Sequence, residues 1–318
     1  MDSNGPSATV TARRIPPALL LALRIIGSAL IIGAFLWALA GQAGELASHS
    51  WQVAPLWLLA AFVCALARGP LIVYPWWRIV YAWGYGFDWW RAVRVYFHSG
   101  LARYIPGQYW FVLTRALLAE REGVPKRVTA ASTLVETLLV TGAAGGVALL
   151  GLQRVPGWPE GIRWLFLLGG IIAPLLLVAL VASTAASRVW GRLARLLKYD
   201  LPRPRLAWED ASWVVVASYG NWALYGLVAA FSLAGVATDP GAYLANFPAV
   251  MGCFCAGVLG AAVVIFVPQG IVVREGVFVF LLNTLLSVPI PEAIAAAALT
   301  RLIATIAEGA WAVISLRF

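Results

Sequence analysis

Long apolar runs alternate with short polar stretches along this chain, and two of the runs are interrupted at their centres. Residues 17–40, 128–150, 164–183, 211–234 and 293–316 each supply close to the ~20 apolar residues that a bilayer core of ~30 Å requires at 1.5 Å per residue. Residues 53–67 reach that length by continuing past Arg68-Gly69-Pro70 as a kinked helix. Six spanning helices are therefore expected. The interrupted runs are residues 94–124, broken at Tyr104-Ile105-Pro106-Gly107-Gln108, and 248–287, broken at Phe266-Val267-Pro268-Gln269-Gly270. About ten apolar residues on either side of the first break are too few to span. Each run therefore predicts a re-entrant hairpin of two half-helices that turns near mid-depth, where bent backbone survives only against protein or a water-filled cavity.

Composition agrees and narrows the class. Hydrophobic residues are 62% of the 318 and charged residues 12%, with a mean hydropathy of +0.84. The chain reads as an all-α polytopic membrane protein with almost no room for a soluble domain. The 16 Trp and 10 Tyr suit the headgroup interface. A formal charge of +9 comes from basic residues in short inter-helix segments, so nucleic acid is not an expected partner. Cys64, Cys253 and Cys255 lie in apolar stretches without metal-ligand spacing, and His49 and His98 are isolated. No metal and no cofactor is expected.

The basic segments set an expected topology. Residues 1–16 form a polar tail with Arg13 and Arg14, read as cytoplasmic, and residues 17–318 form one transmembrane domain. Residues 76–94 mix aromatics with Arg78, Arg91 and Arg94, the composition of a segment lying in the cytoplasmic interface. Residues 186–210 repeat Arg188, Arg192 and Arg195 at helical spacing, as an amphipathic cytoplasmic helix would. The loop at 238–247 has no Lys or Arg and reads as external, and both termini read as cytoplasmic.

The two broken runs resemble each other. Ile105-Pro106-Gly107 matches Val267-Pro268-Gln269-Gly270, and Val124-Pro125 matches Val288-Pro289. Ala130-Ala131-Ser132-Thr133-Leu134 matches Ala295-Ala296-Ala297-Ala298-Leu299, at a separation of about 162 to 165 residues throughout. Repeat 1 covers about residues 53–151 and repeat 2 about 211–318. Arg91, Arg94, Arg121, Lys126 and Arg127 flank the first hairpin, whereas the loops beside the second lack basic residues. Opposed hairpins in an inverted repeat follow, and transporters place substrate at such broken helices. The alternative is a full span over 243–266 and a parallel repeat.

Ionisable residues inside apolar runs are Arg24, Arg68, Arg103, Arg115, Glu136, Arg274, Glu275, Arg301 and Glu308. Each costs ~2.5–3.5 kcal/mol at mid-membrane if uncompensated, so the set must pair, reach water or hold a charged ligand. Matching positions suggest a cross-repeat network of Arg115 with Glu275 and Glu136 with Arg301. Arg103, Arg115 and Arg274 are candidate phosphate ligands, together with the half-helix N-termini after Pro106-Gly107-Gln108 and Gly270, where free N–H groups would face the cavity. Tyr104 sits beside the first break. The competing reading makes the arginines salt-bridge staples for the hairpins. No Ser-His-Asp grouping or phosphate-binding loop is present in the sequence.

Gly100-Leu101-Ala102-Arg103-Tyr104-Ile105-Pro106-Gly107, with Arg115 and Glu122-Gly123-Val124, resembles the first signature of a flippase-like family. That family is named for the transmembrane region of lysylphosphatidylglycerol synthases, the multiple peptide resistance factors. Val267-Pro268-Gln269-Gly270-Ile271-Val272-Val273-Arg274-Glu275-Gly276 resembles its second signature. Gln269 and Val272 stand where glycines are usual, and Glu136 stands where an Arg is common. The resemblance implies a lipid flippase or transporter of the cytoplasmic membrane, not an enzyme. It would move an aminoacylated or anionic phospholipid, or a polyprenyl-phosphate-linked sugar. Glu136, Glu275, Arg301 and Glu308 would gate or carry protons, and a glycosyltransferase or lipid synthase is an implied partner. With no aminoacyl-transferase domain in the sequence given, synthesis of aminoacyl lipid by this chain alone is not expected. The rival readings are an integral-membrane enzyme acting on a lipid-linked substrate and an accessory subunit of a glycosyltransferase.

Overall fold

The structure, a computed structural model, describes residues 43–104, 110–184, 206–263 and 272–318, with the single positions 33, 40, 41 and 188. The expected tail at 1–16, most of the first span at 17–40 and most of the amphipathic segment at 186–210 lie outside the described residues, as do residues 105–108 of the first expected break and all of the second, 266–270.

All regular elements among the described residues are helical. A short helix, α1 (Ala43–Ser48), precedes α2 (Pro55–Ala82), α3 (Trp89–Leu101), a 3-10 turn (Ala102–Tyr104) and α4 (Trp110–Arg121). Then come α5 (Lys126–Leu152), α6 (Glu160–Ala182), α7 (Trp208–Ala234), a short α8 (Pro240–Ala245) and α9 (Phe247–Val263). The chain ends with α10 (Val273–Leu286) and α11 (Ile290–Ile314). Five helices, α2, α5, α6, α7 and α11, are long and apolar enough to cross a membrane. Five such helices in one chain make this a multi-pass membrane protein.

Two expectations change in detail. Residues 76–94 are not one interfacial segment. α2 runs through Pro70 and Pro75 to Ala82, and a loop then leads to α3, whose N-terminus Asp88 caps by accepting from the Trp90 and Arg91 N–H groups at 2.9 and 3.2 Å. Trp76 is wholly buried and donates from Nε1 to Ser132 Oγ at 3.1 Å. Aromatic residues at that point thus belong to the core, where the indole finds a polar partner. The loop at 238–247 is also more ordered than its composition implies. Asp239 caps α8 by accepting from Ala242 N–H at 3.2 Å. Thr238 donates from its N–H and hydroxyl to the buried Glu292 at 3.1 and 2.8 Å, which fastens the loop to the start of α11.

Packing follows a reciprocal plan. α2 lies against α7 with opposite chain direction: Ala54 N–H donates to Gly235 O at 2.9 Å, Arg68 Nε to Asn221 at 3.2 Å, and Arg78 pairs with Asp210. α5 packs on α9, and α11 packs on α3. The first of these contacts rests on glycine. A Cβ on Gly151 would fall 2.3 Å from Pro248 O and 2.6 Å from Gly252 Cα, so only the bare backbones let α5 and α9 meet there. The second is aromatic, with Phe97 stacked on Trp311 at 5.8 Å and Trp90 on Phe318 at 4.3 Å. Gly69 of α2 accommodates Trp311, whose indole N–H donates to Leu66 O at 2.9 Å.

These contacts sort the helix ends. The end of α2, the start of α3, the α4–α5 turn, the start of α7 and the C-terminus gather at one face, tied by Arg78–Asp210, Arg91–Glu122 and Arg94–Glu122. The starts of α2, α9 and α11 and the ends of α5, α7 and α10 gather at the other. α3 begins and α4 ends at the first face; α9 begins and α10 ends at the second.

Candidate functional site

Where the short helices of both halves meet the long ones, a cavity of about 560 Å³ opens between them. α2 supplies Arg68, α3 Tyr96, and the 3-10 turn Arg103. α4 supplies Phe111 and Arg115, α5 Glu136, and α7 Asn221, Trp222 and Tyr225. α10 supplies Arg274, and α11 Arg301 and Glu308. Four of the expected residues, Arg103, Arg115, Arg274 and Arg301, thus come together from segments up to about two hundred positions apart, and Glu136 and Glu308 join them. Pro106, Gly107, Gln108 and Gly270 lie outside the described residues, as does the side chain of Tyr104.

The charges form three groups. In the first, Arg115 Nη1 meets Glu136 Oε2 at 2.6 Å, and Tyr96 OH donates to Glu136 Oε1 at 2.8 Å. Arg115 is 1% exposed and sits against the Tyr96 ring at 4.1 Å and the Trp76 ring at 5.2 Å. Aromatic faces and one carboxylate enclose it; the pair is neutral and out of water. In the second, Glu275 Oε1 accepts from Arg274 Nη2 at 2.6 Å and from Arg301 Nη1 at 2.8 Å. Arg274 also donates to Tyr225 OH at 3.1 Å. In the third, Glu308 pairs with Arg68 at 3.4 Å and lies 3.9 Å from Arg103.

The expected cross-repeat network of Arg115 with Glu275 and Glu136 with Arg301 does not form. Each carboxylate takes the arginine of its own half, Arg115–Glu136 and Arg301–Glu275. The reason is local: α4 packs on α5 and α10 packs on α11, so a short helix meets the long helix that follows it before it meets the other half. The matching positions therefore hold the same pair with its signs exchanged. Among the described ion pairs of the cavity, those of Glu308 of α11 with Arg68 and Arg103 bridge the halves.

Glu275 has a second duty. Its Oε2 accepts from the Val272 N–H at 2.9 Å and so caps α10. Val272 has φ +79°, a conformation that favours glycine and strains a β-branched residue.

Arg68 was visible in the sequence only as a charge in an apolar run. It stacks on the Tyr225 ring at 4.0 Å and bonds Asn221 and Glu308. Tyr96, Asn221, Trp222 and Tyr225 carried no signal beyond a polar or aromatic residue in a helix; only the packing of α3 and α7 brings them to the cavity. His98 binds Arg94 O at 2.8 Å and faces no metal-ligand set. No cluster of three or more His, Cys, Asp or Glu occurs among the described residues.

No curated protein and no solved structure matches the chain. A family model does: the one described as lysylphosphatidylglycerol synthase TM region aligns with residues 24–311, which include every residue that lines the cavity. A match over that much of the chain, on the segments that build the charged cavity, places this protein in the lysylphosphatidylglycerol synthase TM-region family.

Proposed function

We propose that this protein moves a phosphate-bearing lipid between the leaflets of the cytoplasmic membrane, with the headgroup in the charged cavity and the tails in the bilayer. The observation that carries the reading is the charge balance of that cavity. Five guanidinium groups line it, against the carboxylates of Glu136 and Glu308 and of Glu275 behind Arg274 and Arg301. An excess of positive charge at membrane depth is stabilised by an anion, and arginine holds phosphate oxygens with paired N–H bonds. Among the described residues Arg301 is engaged through Nη1 alone, by Glu275, which makes it the first candidate ligand. Arg115 and Arg274 are held more fully and act first as positioning residues.

Opposed re-entrant hairpins fit this use. α3 and α4 have 13 and 12 residues, roughly 20 Å each and short of a ~30 Å core; they begin and end at one face. α9 and α10 begin and end at the other. The antiparallel pairing of α2 with α7, the long helices that precede the two short pairs, supports an inverted rather than a parallel repeat. The face that carries Arg78, Arg91, Arg94, Arg121, Lys126, Arg127 and Arg317 is the cytoplasmic one by the positive-inside rule, against Arg154 and Arg163 at the opposite face. Rocking of one half against the other would make and break the Glu308 contacts and expose the cavity alternately.

A transporter is favoured over an enzyme because each cavity carboxylate is held by a guanidinium group, so none stands poised as a general base. The test is leaflet-resolved movement of fluorescent phosphatidylglycerol and phosphatidic acid in liposomes that carry the purified protein. Wild type should speed exchange of at least one of them, and Arg301→Ala should slow it at least tenfold with the folded yield unchanged. Exchange no faster than in empty liposomes for both lipids would remove the proposal, and turnover of an added lipid-linked sugar would replace it with the enzyme reading.

A further inference from the structure

The distribution of charge within the cavity says more than its total. The Arg115–Glu136 pair is neutral. The other two groups each place two arginines on a single carboxylate: Arg274 and Arg301 on Glu275, and Arg68 and Arg103 on Glu308. Tyr225 stands between them. Its ring carries Arg68 at 4.0 Å and its hydroxyl accepts from Arg274 at 3.1 Å. Among the described residues the surplus is thus two positive charges, in two groups that both touch one aromatic residue, rather than one.

The geometry points to a headgroup with two negative charges, a phosphomonoester or a diphosphate, as the matched ligand of this cavity. The inference rests on the proposed lipid-phosphate reading and narrows it. A phosphodiester carries one charge and leaves one arginine group uncompensated. A phosphomonoester approaches two charges above its second pKa of ~6 and returns to one below it. Arg301 brings to one side the N–H groups that Glu275 leaves unengaged, while Arg68, stacked and bonded, fixes the charge on the other. The phenols of Tyr96 and Tyr225 are held by Glu136 and Arg274 and add hydrogen bonds without charge.

Trp222 lines the cavity, so the part of the tryptophan signal that is lost in Trp222→Phe reports occupancy. The full-length protein in detergent is titrated by tryptophan fluorescence with short-chain phosphatidic acid, short-chain phosphatidylglycerol and soluble glycerol phosphate, at pH 8 and pH 5. Phosphatidic acid should bind at least tenfold tighter than phosphatidylglycerol at pH 8, and the preference should fall below threefold at pH 5. Phosphatidylglycerol keeps its charge over that range, so its own pH response measures any contribution that does not come from the ligand. Arg301→Gln should weaken phosphatidic acid at least tenfold more than phosphatidylglycerol. Equal affinity for the two lipids at pH 8, or a preference undiminished at pH 5, overturns the two-charge inference and leaves the lipid-phosphate reading standing. Glycerol phosphate as tight as phosphatidic acid assigns the site to a soluble dianion and overturns the lipid reading instead. Saturable binding of none of the three overturns both. The wild-type pH comparison decides the matter even if Arg301→Gln fails to fold.

Discussion

At the scale of single residues, the second broken run shows how one side chain can serve backbone and site together. Glu275 caps α10 through the Val272 N–H and holds Arg274 and Arg301 with its other oxygen. The cap forms although Val272 takes a φ of +79°, a conformation that costs a non-glycine residue of order 1–3 kcal/mol. Val272→Gly should therefore raise stability by about 1 kcal/mol, read as a higher midpoint of thermal unfolding in detergent. A lower midpoint would mean that contacts of the valine side chain outweigh the strain. The ionisable residues of the site were legible in the sequence, because a charge inside an apolar run is conspicuous whatever its partner. Their partners were not. Matched repeat positions pointed to pairing across the halves, but side-chain reach favours the adjacent helix, and Arg115 finds Glu136 within its own half.

At the scale of elements, the helix contacts decide what sequence pattern left open. The apolar runs were plain from periodicity. The continuation of α2 beyond Pro75 to Ala82, the short α8 and the burial of Trp76 were not, since each depends on a neighbour distant in sequence. The contact of α5 with α9 makes the point testable. A side chain at Gly151 would meet Pro248 O and the Gly252 backbone, whereas one at Gly145 finds its nearest neighbour, Leu259, at 3.9 Å. Gly151→Val should destabilise by at least about 1–3 kcal/mol through overpacking. Gly145→Ala should be neutral, or stabilising by up to ~1 kcal/mol through helix propensity. Unfolding midpoints of the two variants measured side by side check the pair; equal effects would mean that α5 and α9 do not approach as described.

At the scale of the whole molecule, helices from α2 to α11 enclose one charged cavity, and the family match spans all the residues that line it. The fold class could be read from composition. The cavity itself could not, because α2 and α7 bring Arg68, Asn221, Trp222 and Tyr225 to it only through their antiparallel packing. The central claim is that this cavity holds lipid phosphate. It is tested most directly by a high-resolution cryo-electron microscopy map of the protein in nanodiscs containing phosphatidic acid. The account predicts phosphate density within hydrogen-bond distance of Arg301 and on the Arg68 side of Tyr225, with tail density leading into the bilayer. A well-resolved cavity that contains only water would contradict it.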